Sequence, residues 1–244
     1  IVRFAMGSPA PEAIPTHTLA EVGVEAIGAG AHDAFDYAAN GDILHVALFD
    51  TVGHGISASA LTTLTLNTYR NARRSGLSLI DTCRSIDKWI HAQYPGSFVT
   101  ALLAELDMPS GTYRRISAGH PAEIFLRGGA KLAPLPTPNT LPLGLGHMLR
   151  RPPEVIERQL RPGDALVFYT DGITEARDEA GNFFGEDRLV DFLRREAAAS
   201  RPPPETARRL VHAILDHQDD RVPARADARA RPEGGGAGRL RLTR

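Results

Sequence analysis

Short stretches in which apolar and polar residues alternate, or in which apolar residues run on, predict strands along most of this chain. The clearest pair of strands, residues 33–38 and 43–49, flanks Asn40-Gly41, a dipeptide typical of a tight hairpin turn. Further strands, joined by turns rich in Gly, Pro or Asp, are predicted at residues 98–106, 112–118, 123–127 and 165–170, with a weaker one at 19–27. Because short turns join consecutive strands, we expect antiparallel pairing.

Four stretches with apolar residues three or four positions apart predict helices, at residues 56–74, from Ser78 onward, 186–199 and 204–217. The residues of the first helix predicted to face the core are Ile56, Ala60, Leu61, Leu64 and Ala72, with part of the threonine-rich run 62–68. Its basic end, Arg70, Arg73 and Arg74, is predicted to be solvated, and Cys83 in the second helix to be a core residue. These elements predict an α+β fold, a layered β-sandwich of antiparallel sheets flanked by paired helices.

Composition indicates a globular protein without a strong electrostatic preference for a partner. The 244 residues are 42% hydrophobic with a net charge of -1, which gives no general attraction for nucleic acid or an anionic membrane. The single cysteine and the lack of about 18 consecutive apolar residues predict a cytoplasmic protein without a disulfide framework, signal peptide or membrane helix. We expect residues 1–17 to be a linker or disordered, residues 18–217 to form the domain, and residues 218–244 to be an atypical, disordered tail rich in Arg, Ala and Gly.

Three aspartates, Asp33, Asp50 and Asp171, each stand at the end of a predicted strand. The hairpin brings Asp33 and Asp50 to the same end of the sheet, where two carboxylates repel each other unless a cation lies between them. Oxygen-only ligands favour Mg²⁺ or Mn²⁺ over Zn²⁺, and two such ions about 3.5–4 Å apart activate a water and bind a phosphoryl group. The alternative that this pattern leaves open is a set of solvated carboxylates that cap turns.

Five motifs occur along the chain in a fixed order. They are Phe49-Asp50-Thr51-Val52-Gly53-His54-Gly55, Ser117-Ala118-Gly119-His120-Pro121, Pro142-Leu143-Gly144, Pro162-Gly163-Asp164 and Tyr169-Thr170-Asp171-Gly172-Ile173-Thr174-Glu175-Ala176-Arg177. This ordered set, within residues 28–217, closely resembles the bacterial SpoIIE-like branch of the PPM (protein phosphatase 2C-type) Ser/Thr phosphatases. The resemblance implies the PPM phosphatase fold, two bound Mn²⁺ or Mg²⁺ ions, and attack of a metal-activated water on phosphoserine or phosphothreonine without a covalent enzyme intermediate.

The resemblance also implies roles for individual residues. Asp50 would bridge the two ions, the backbone carbonyl of Thr51 would bind the second ion, and Asp171 would be a ligand of one ion, so that Asp50 and Asp171 are the catalytic residues. The stretch Ala31-His32-Asp33-Ala34-Phe35-Asp36 aligns with the family motif Gly-Gly-Asp-aromatic-aromatic-Asp, which makes Asp33 a further metal ligand. Both glycines of that motif are replaced in this chain. His54 belongs to the motif around Asp50 without being an obvious ligand.

The chain departs from the family near its C-terminal end. The family closes with Asp-Asp-Ala-Thr and an apolar strand, whereas Asp219-Asp220 is followed by Arg221-Val222-Pro223 and no strand pattern. One metal-binding aspartate therefore lacks its usual context. Two main functions follow: an active metal-dependent protein Ser/Thr phosphatase, or a catalytically weakened pseudophosphatase that acts as a phosphoprotein-binding regulatory module. A phosphatase for small metabolites is a third.

The partner that the resemblance implies is a phosphorylated regulatory protein. Relatives in this branch commonly dephosphorylate anti-sigma-factor antagonists. The net charge of -1 and the lack of a membrane helix pattern predict no nucleic acid or membrane partner. A sensory domain that precedes Ile1 in a longer protein is a further expectation. The sequence has no Walker loop, HExxH pair or serine nucleophile elbow, so the chemistry of those motifs is not predicted.

Overall fold

Two antiparallel sheets lie face to face, and helices cover both outer sides of this sandwich. A computed structural model describes residues 2–6, 20–24, 33–53, 55–138 and 141–218. The predicted α+β architecture, with antiparallel sheets flanked by paired helices, is confirmed. No helix in the described ranges is long and apolar enough to cross a membrane.

Within the described residues, each sheet has five strands. Sheet I consists of β1 (Val2–Met6), β2 (Ala20–Val24), β7 (Ile124–Arg127), β8 (Ala130–Lys131) and β10 (Asp164–Phe168), in the spatial order β2-β1-β10-β7-β8. Sheet II consists of β3 (Asp33–Asn40), β4 (Ile43–Thr51), β5 (Val99–Asp107), β6 (Thr112–Ala118) and β9 (Ile156–Gln159), in the order β3-β4-β5-β6-β9. The chain therefore leaves sheet II after β6 and enters sheet I at β7, so the hairpins divide between two sheets.

The hairpin predicted at Asn40-Gly41 is present and sets the register of the site. Gly41 has a φ of +60°, a left-handed conformation that suits a glycine in a tight turn. Strand β3 pairs with β4 along its whole length, so that Asn40 lies opposite Ile43 and Asp33 lies opposite Asp50. The two aspartates are therefore direct cross-strand neighbours.

The two N-terminal strands belong to sheet I. Strand β2 lies within the weak alternation predicted at residues 19–27. Strand β1 contradicts the prediction of a linker or disorder for residues 1–17, because Val2–Met6 pairs with both β2 and β10. Its pattern is short and its partner β10 is distant in sequence, so local alternation did not reveal it. The rest of that segment, and the predicted tail from residue 219 onward, lie outside the described residues.

The helices pair on each outer side. They are α1 (Ile56–Arg74) and α2 (Leu79–Gln93) on sheet II, and α3 (Asp171–Thr174), α4 (Gly185–Ala198) and α5 (Pro203–Gln218) on the side of sheet I, with a 3-10 turn at Gly146–Met148. The four predicted helices are confirmed. Helix α2 begins where expected because the Ser78 hydroxyl accepts a hydrogen bond from the Asp81 amide at 3.1 Å.

Three apolar layers alternate with the sheets and helices. Because neighbouring residues of a strand point to opposite faces, Leu48 packs between the sheets with Phe168, whereas Phe49 packs beneath α1 and α2. The third layer, which includes Val167, lies between sheet I and the C-terminal helices. Cys83 lies on the inner face of α2 and is buried, as predicted. Burial raises the pKa of its thiol to about 12. With both faces covered, these strands read as continuous apolar runs.

The face of α1 that meets sheet II differs from the prediction. Ile56 and Leu64, which were predicted to face the core, are exposed, at 90% and 37%, whereas Thr62 and Thr65 of the threonine-rich run are buried, as predicted. Thr62 faces inward because its hydroxyl lies 2.7 Å from the hydroxyl of Thr51 on β4. A polar contact with β4 thus lies on the threonine face of the helix, which was expected to meet the sheet.

The basic end of α1 is also different from the solvated cluster that was predicted. Arg73 is only 9% exposed, and Arg70 donates from Nε to Asp36 Oδ1 at 2.9 Å. Arg74 is exposed, as expected. The prediction was wrong for Arg70 and Arg73 because their partner, Asp36, lies on a strand that is remote in sequence.

Candidate active site

The candidate site lies at the end of the sandwich where β3 begins and where β4 and β10 end. Asp33 opens β3, Asp50 lies near the end of β4, and Asp171 opens α3 shortly after β10. Asp33 and Asp50 are brought together as cross-strand neighbours. Asp171 lies close enough for its charge to raise the pKa of the Asp50 carboxyl. Asp33 and Asp171 are exposed and Asp50 is half-buried, so the site opens to solvent.

Negative charge accumulates at this end of the sandwich. Burial raises the pKa of the Asp50 carboxyl to about 7, and the charge of Asp33, a hydrogen bond to Asp33 and the charges of Asp171 and Glu175 act in the same direction. Glu175 was not predicted as a site residue, although it stands in the same motif as Asp171. A cation bound among these carboxylates would relieve their mutual repulsion.

A side-chain hydrogen bond joins the two sheets at the site. The Thr170 hydroxyl donates to Asp33 Oδ2 at 3.0 Å. Thr170 follows β10 of sheet I, whereas Asp33 opens β3 of sheet II. The contact therefore links the end of one sheet to a carboxylate of the other, and it orients Asp33. In the sequence Thr170 stands out only as a motif residue, because its partner lies in a segment far away along the chain.

The turn after Asp50 is built from glycines and a buried threonine. Gly53 and Gly55 have φ values of +111° and +83°, which a residue with a side chain rarely adopts, so the chain turns sharply into α1. Thr51 is buried on the helix side, where its hydroxyl meets that of Thr62. His54 lies outside the described residues. The proposed role of the Thr51 carbonyl as a metal ligand stays a prediction.

His120 is a buried residue that links two strands next to the site. It is 5% exposed, and its ring nitrogens lie 2.9 Å from the Thr100 hydroxyl and 3.1 Å from the Tyr169 carbonyl. Burial lowers the pKa of the imidazole to about 4, so the ring is neutral at pH 7. With both nitrogens engaged, His120 joins β5 to the end of β10 and serves the structure.

The donor set suits a hard divalent cation by its chemistry. Asp33 and Asp50 present carboxylates side by side, and oxygen ligands are those that Mg²⁺ and Mn²⁺ prefer. Within the part of the chain that the structure describes, no group of three Asp, Glu, His or Cys side chains is arranged to hold a metal ion. The prediction that Asp33, Asp50 and Asp171 bind a metal ion therefore stays a prediction.

Comparison with known proteins gives this geometry a context. The family model for stage II sporulation protein E (SpoIIE) matches residues 40–223. Protein IcfG of Synechocystis sp. (strain ATCC 27184 / PCC 6803 / Kazusa) is 33% identical over 97 residues, which cover 39% of this chain and 15% of that protein. This chain therefore corresponds to a small part of the length of that relative.

Solved structures share the fold. The RsbU and RsbW domains of Rv1364c from Mycobacterium tuberculosis match with a TM-score of 0.65 and 30% identity, over 79% of this chain and 52% of that one. The SiaA-PP2C domain of Pseudomonas aeruginosa matches with a TM-score of 0.67 and 22% identity, over 79% of this chain and 76% of that one. The chain spans about half the length of the mycobacterial structure, and the likeness to the Pseudomonas domain concerns the fold alone.

Proposed function

This chain belongs to the stage II sporulation protein E family, and on that basis we propose that it is a metal-dependent phosphatase acting on phosphoserine or phosphothreonine of a regulatory protein. The observation that carries the proposal is the direct pairing of Asp33 with Asp50 beside Asp171. Carboxylates gathered at the open end of a sheet cost stability by repulsion, and a divalent cation offsets that cost. The five ordered motifs support the same reaction.

The proposed ligands have distinct roles. Asp50 would bridge two Mn²⁺ or Mg²⁺ ions, with Asp33, Asp171 and the Thr51 carbonyl as further ligands. When bound, the ions supply an acidified water and positive charge for the phosphoryl group. Thr170 orients the carboxylate of Asp33 through its 3.0 Å hydrogen bond. Of these ligands, Asp50 and Asp171 would be the residues on which hydrolysis depends.

A protein substrate is favoured over a small metabolite by the openness of the site. Two cavities, of about 360 and 460 Å³, are lined by residues other than Asp33, Asp50 and Asp171. Enzymes for small ligands usually enclose them in a concave pocket, whereas these carboxylates lie at an open end. The motif resemblance supports a phosphorylated regulatory protein, such as an anti-sigma-factor antagonist, as the partner.

Hydrolysis of p-nitrophenyl phosphate with and without Mn²⁺ tests the proposal. We expect Mn²⁺-dependent activity that falls at least about 100-fold in Asp50→Asn and in Asp171→Asn, because each change removes a charged ligand. Asp187→Asn is the matched control. Asp187 is exposed on α4, so this substitution removes the same charge away from the site. Metal-free Asp50→Asn should unfold no earlier than the wild type, because it removes one of two facing carboxylates.

The alternative of a pseudophosphatase makes the opposite prediction. Within the described residues no closed group of three ligands is present, and a weakened site would bind a phosphoprotein without hydrolysing it. Absence of Mn²⁺-dependent hydrolysis, together with retained binding of a phosphorylated partner, would favour that alternative. Equal activity in the wild type and Asp50→Asn would contradict the metal-site assignment itself.

A further inference from the structure

A partly buried polar cluster ties β3 to α1. Asp36 is 9% exposed, and its Oδ1 lies 2.9 Å from Arg70 Nε and 2.8 Å from Arg70 Nη2. Its Oδ2 lies 3.7 Å from Arg73 Nη2. Arg73 Nη1 also donates to Asn40 Oδ1 at 2.6 Å, and Asn40 Nδ2 donates to the Arg73 carbonyl at 3.3 Å. We call these four residues the β3–α1 clamp.

The clamp acts on a strand that has few other supports. Among the residues that the structure describes, strand β3 is at the edge of sheet II and pairs with β4 on one side. Asp36 is the one residue of β3 that is buried, whereas Asp33 and Asn40 at its two ends are exposed. Apolar burial therefore contributes little to holding this strand, and the clamp grips it at two points, Asp36 and Asn40.

Repulsion at the site works against this strand. Asp33 and Asp50 lie directly opposite each other, and like charges in that position destabilise the pairing of two strands. Strand β4 is held between β3 and β5 and is mostly buried, so β3 is the strand that is free to yield. A device that keeps β3 in place from its other face, where α1 lies, opposes that tendency.

We infer that Asp36, held by Arg70 and Arg73, is a positioning residue that keeps the edge strand β3 in place so that Asp33 stays opposite Asp50. Its relevance to metal binding rests on the proposed function, whereas its grip on β3 does not. Asp36 does not touch the site itself. It acts through the backbone of the strand that carries Asp33, three residues away.

A second carboxylate–arginine pair provides the control. Asp164 is 2% exposed and accepts two hydrogen bonds from Arg127, both at 2.6 Å. It opens β10, which lies between β1 and β7 in sheet I, at the end of the strand away from Thr170. Loss of this pair weakens the fold but leaves the strand held by neighbours on both sides.

The test compares Asp36→Asn with Asp164→Asn in two measurements. Hydrogen exchange of the metal-free proteins should show amides of β3 exchanging at least about tenfold faster in Asp36→Asn, with β10 unchanged. Calorimetric titration with Mn²⁺ alone should show affinity about tenfold weaker in Asp36→Asn and within about twofold of the wild type in Asp164→Asn, since that site is remote. Arg70→Lys, which keeps the charge at a partly exposed position, should retain most of the affinity.

The outcomes separate this inference from the proposed function. Unchanged exchange of β3 in Asp36→Asn overturns the inference, as does unchanged Mn²⁺ affinity when the wild type binds. If the wild type does not bind Mn²⁺, the proposed function fails while hydrogen exchange still decides whether the clamp holds β3. If Asp36→Asn does not fold, Arg70→Gln takes its place in both measurements, because Arg70 is the more accessible of the two arginines, with 37% of its side chain accessible against 8% for Arg73.

Discussion

The strands β3 and β10 carry or precede carboxylates of the same site, yet they are held in opposite ways. All five residues of β10 are buried, and the strand lies between β1 and β7. Strand β3 is an edge strand with a single buried residue, Asp36, and that residue is charged. Apolar packing fixes the strand leading to Asp171, whereas pairing with β4 and a polar clamp to α1 fix the strand that carries Asp33.

One site can therefore be built from two strands that are stabilised differently, one by apolar burial and the other by polar contacts. Burial between sheets stabilises a central strand regardless of the charges at its end. An edge strand that bears a repelled carboxylate depends on a few directional contacts, which specify position but contribute less apolar stabilisation. We therefore expect changes in sheet I to alter global stability, and changes around β3 to alter mainly the geometry of the site.

Truncation of an apolar side chain in each strand should produce the largest contrast. Leu166→Ala in β10 should cost about 3 kcal/mol of unfolding free energy, because Leu166 is 2% exposed between the sheets. Phe35→Ala in β3 should cost less than about 1 kcal/mol, since Phe35 is 36% exposed. Urea denaturation of the metal-free proteins measures both. Equal losses would show that β3 is as firmly packed as β10 and would contradict the contrast between the two strands.

The free energy of unfolding should depend on pH through His120, which lies at the end of β10. The imidazole pKa is lowered to about 4 by burial, against about 6.5 in an unfolded chain, so only the unfolded state binds a proton between these values. Its contribution to stability is therefore complete above pH 6.5 and is lost as the pH falls toward 4. Between pH 7 and pH 4.5 the loss should be about 2–3 kcal/mol.

The measurement for His120 is a series of urea denaturations with a chelator present, compared with His120→Gln, which cannot titrate. The wild type should be the more stable protein at pH 7, and its advantage should shrink as the pH falls. A constant difference across this pH range would mean that His120 does not link protonation to folding.

The smallest effect concerns the contact that joins the two strands. Thr170→Val removes the hydroxyl that donates to Asp33 Oδ2 at 3.0 Å and should cost about 0.5–1 kcal/mol, because the contact is exposed. A double-mutant cycle with Asp33→Asn isolates the coupling between the two residues. A coupling energy near zero would indicate that β3 and β10 are positioned independently at the site.

Local patterns in the sequence were sufficient for several features of this molecule. Asn40-Gly41 defines a tight turn, and a strand period of two residues then places Asp33 opposite Asp50. The spacing of Leu79, Cys83, Ile86 and Ile90 placed Cys83 in the core, which the structure confirms. The order of the five motifs identified the family, since each motif is a contiguous run of residues. In each case the information lies within a turn, a strand or a helix.

Contacts between segments distant in sequence were visible only in the tertiary structure. The pairing of β1 with β10, the exposure of Ile56 on α1, and the pairing of Arg70 with Asp36 all depend on contacts between segments remote in sequence. The hydrogen bond from Thr170 to Asp33 belongs to the same class. Periodicity reports which residues avoid water, because that preference is local. It does not report which polar group meets which, because those partners are chosen only when the two sheets and their helices pack together.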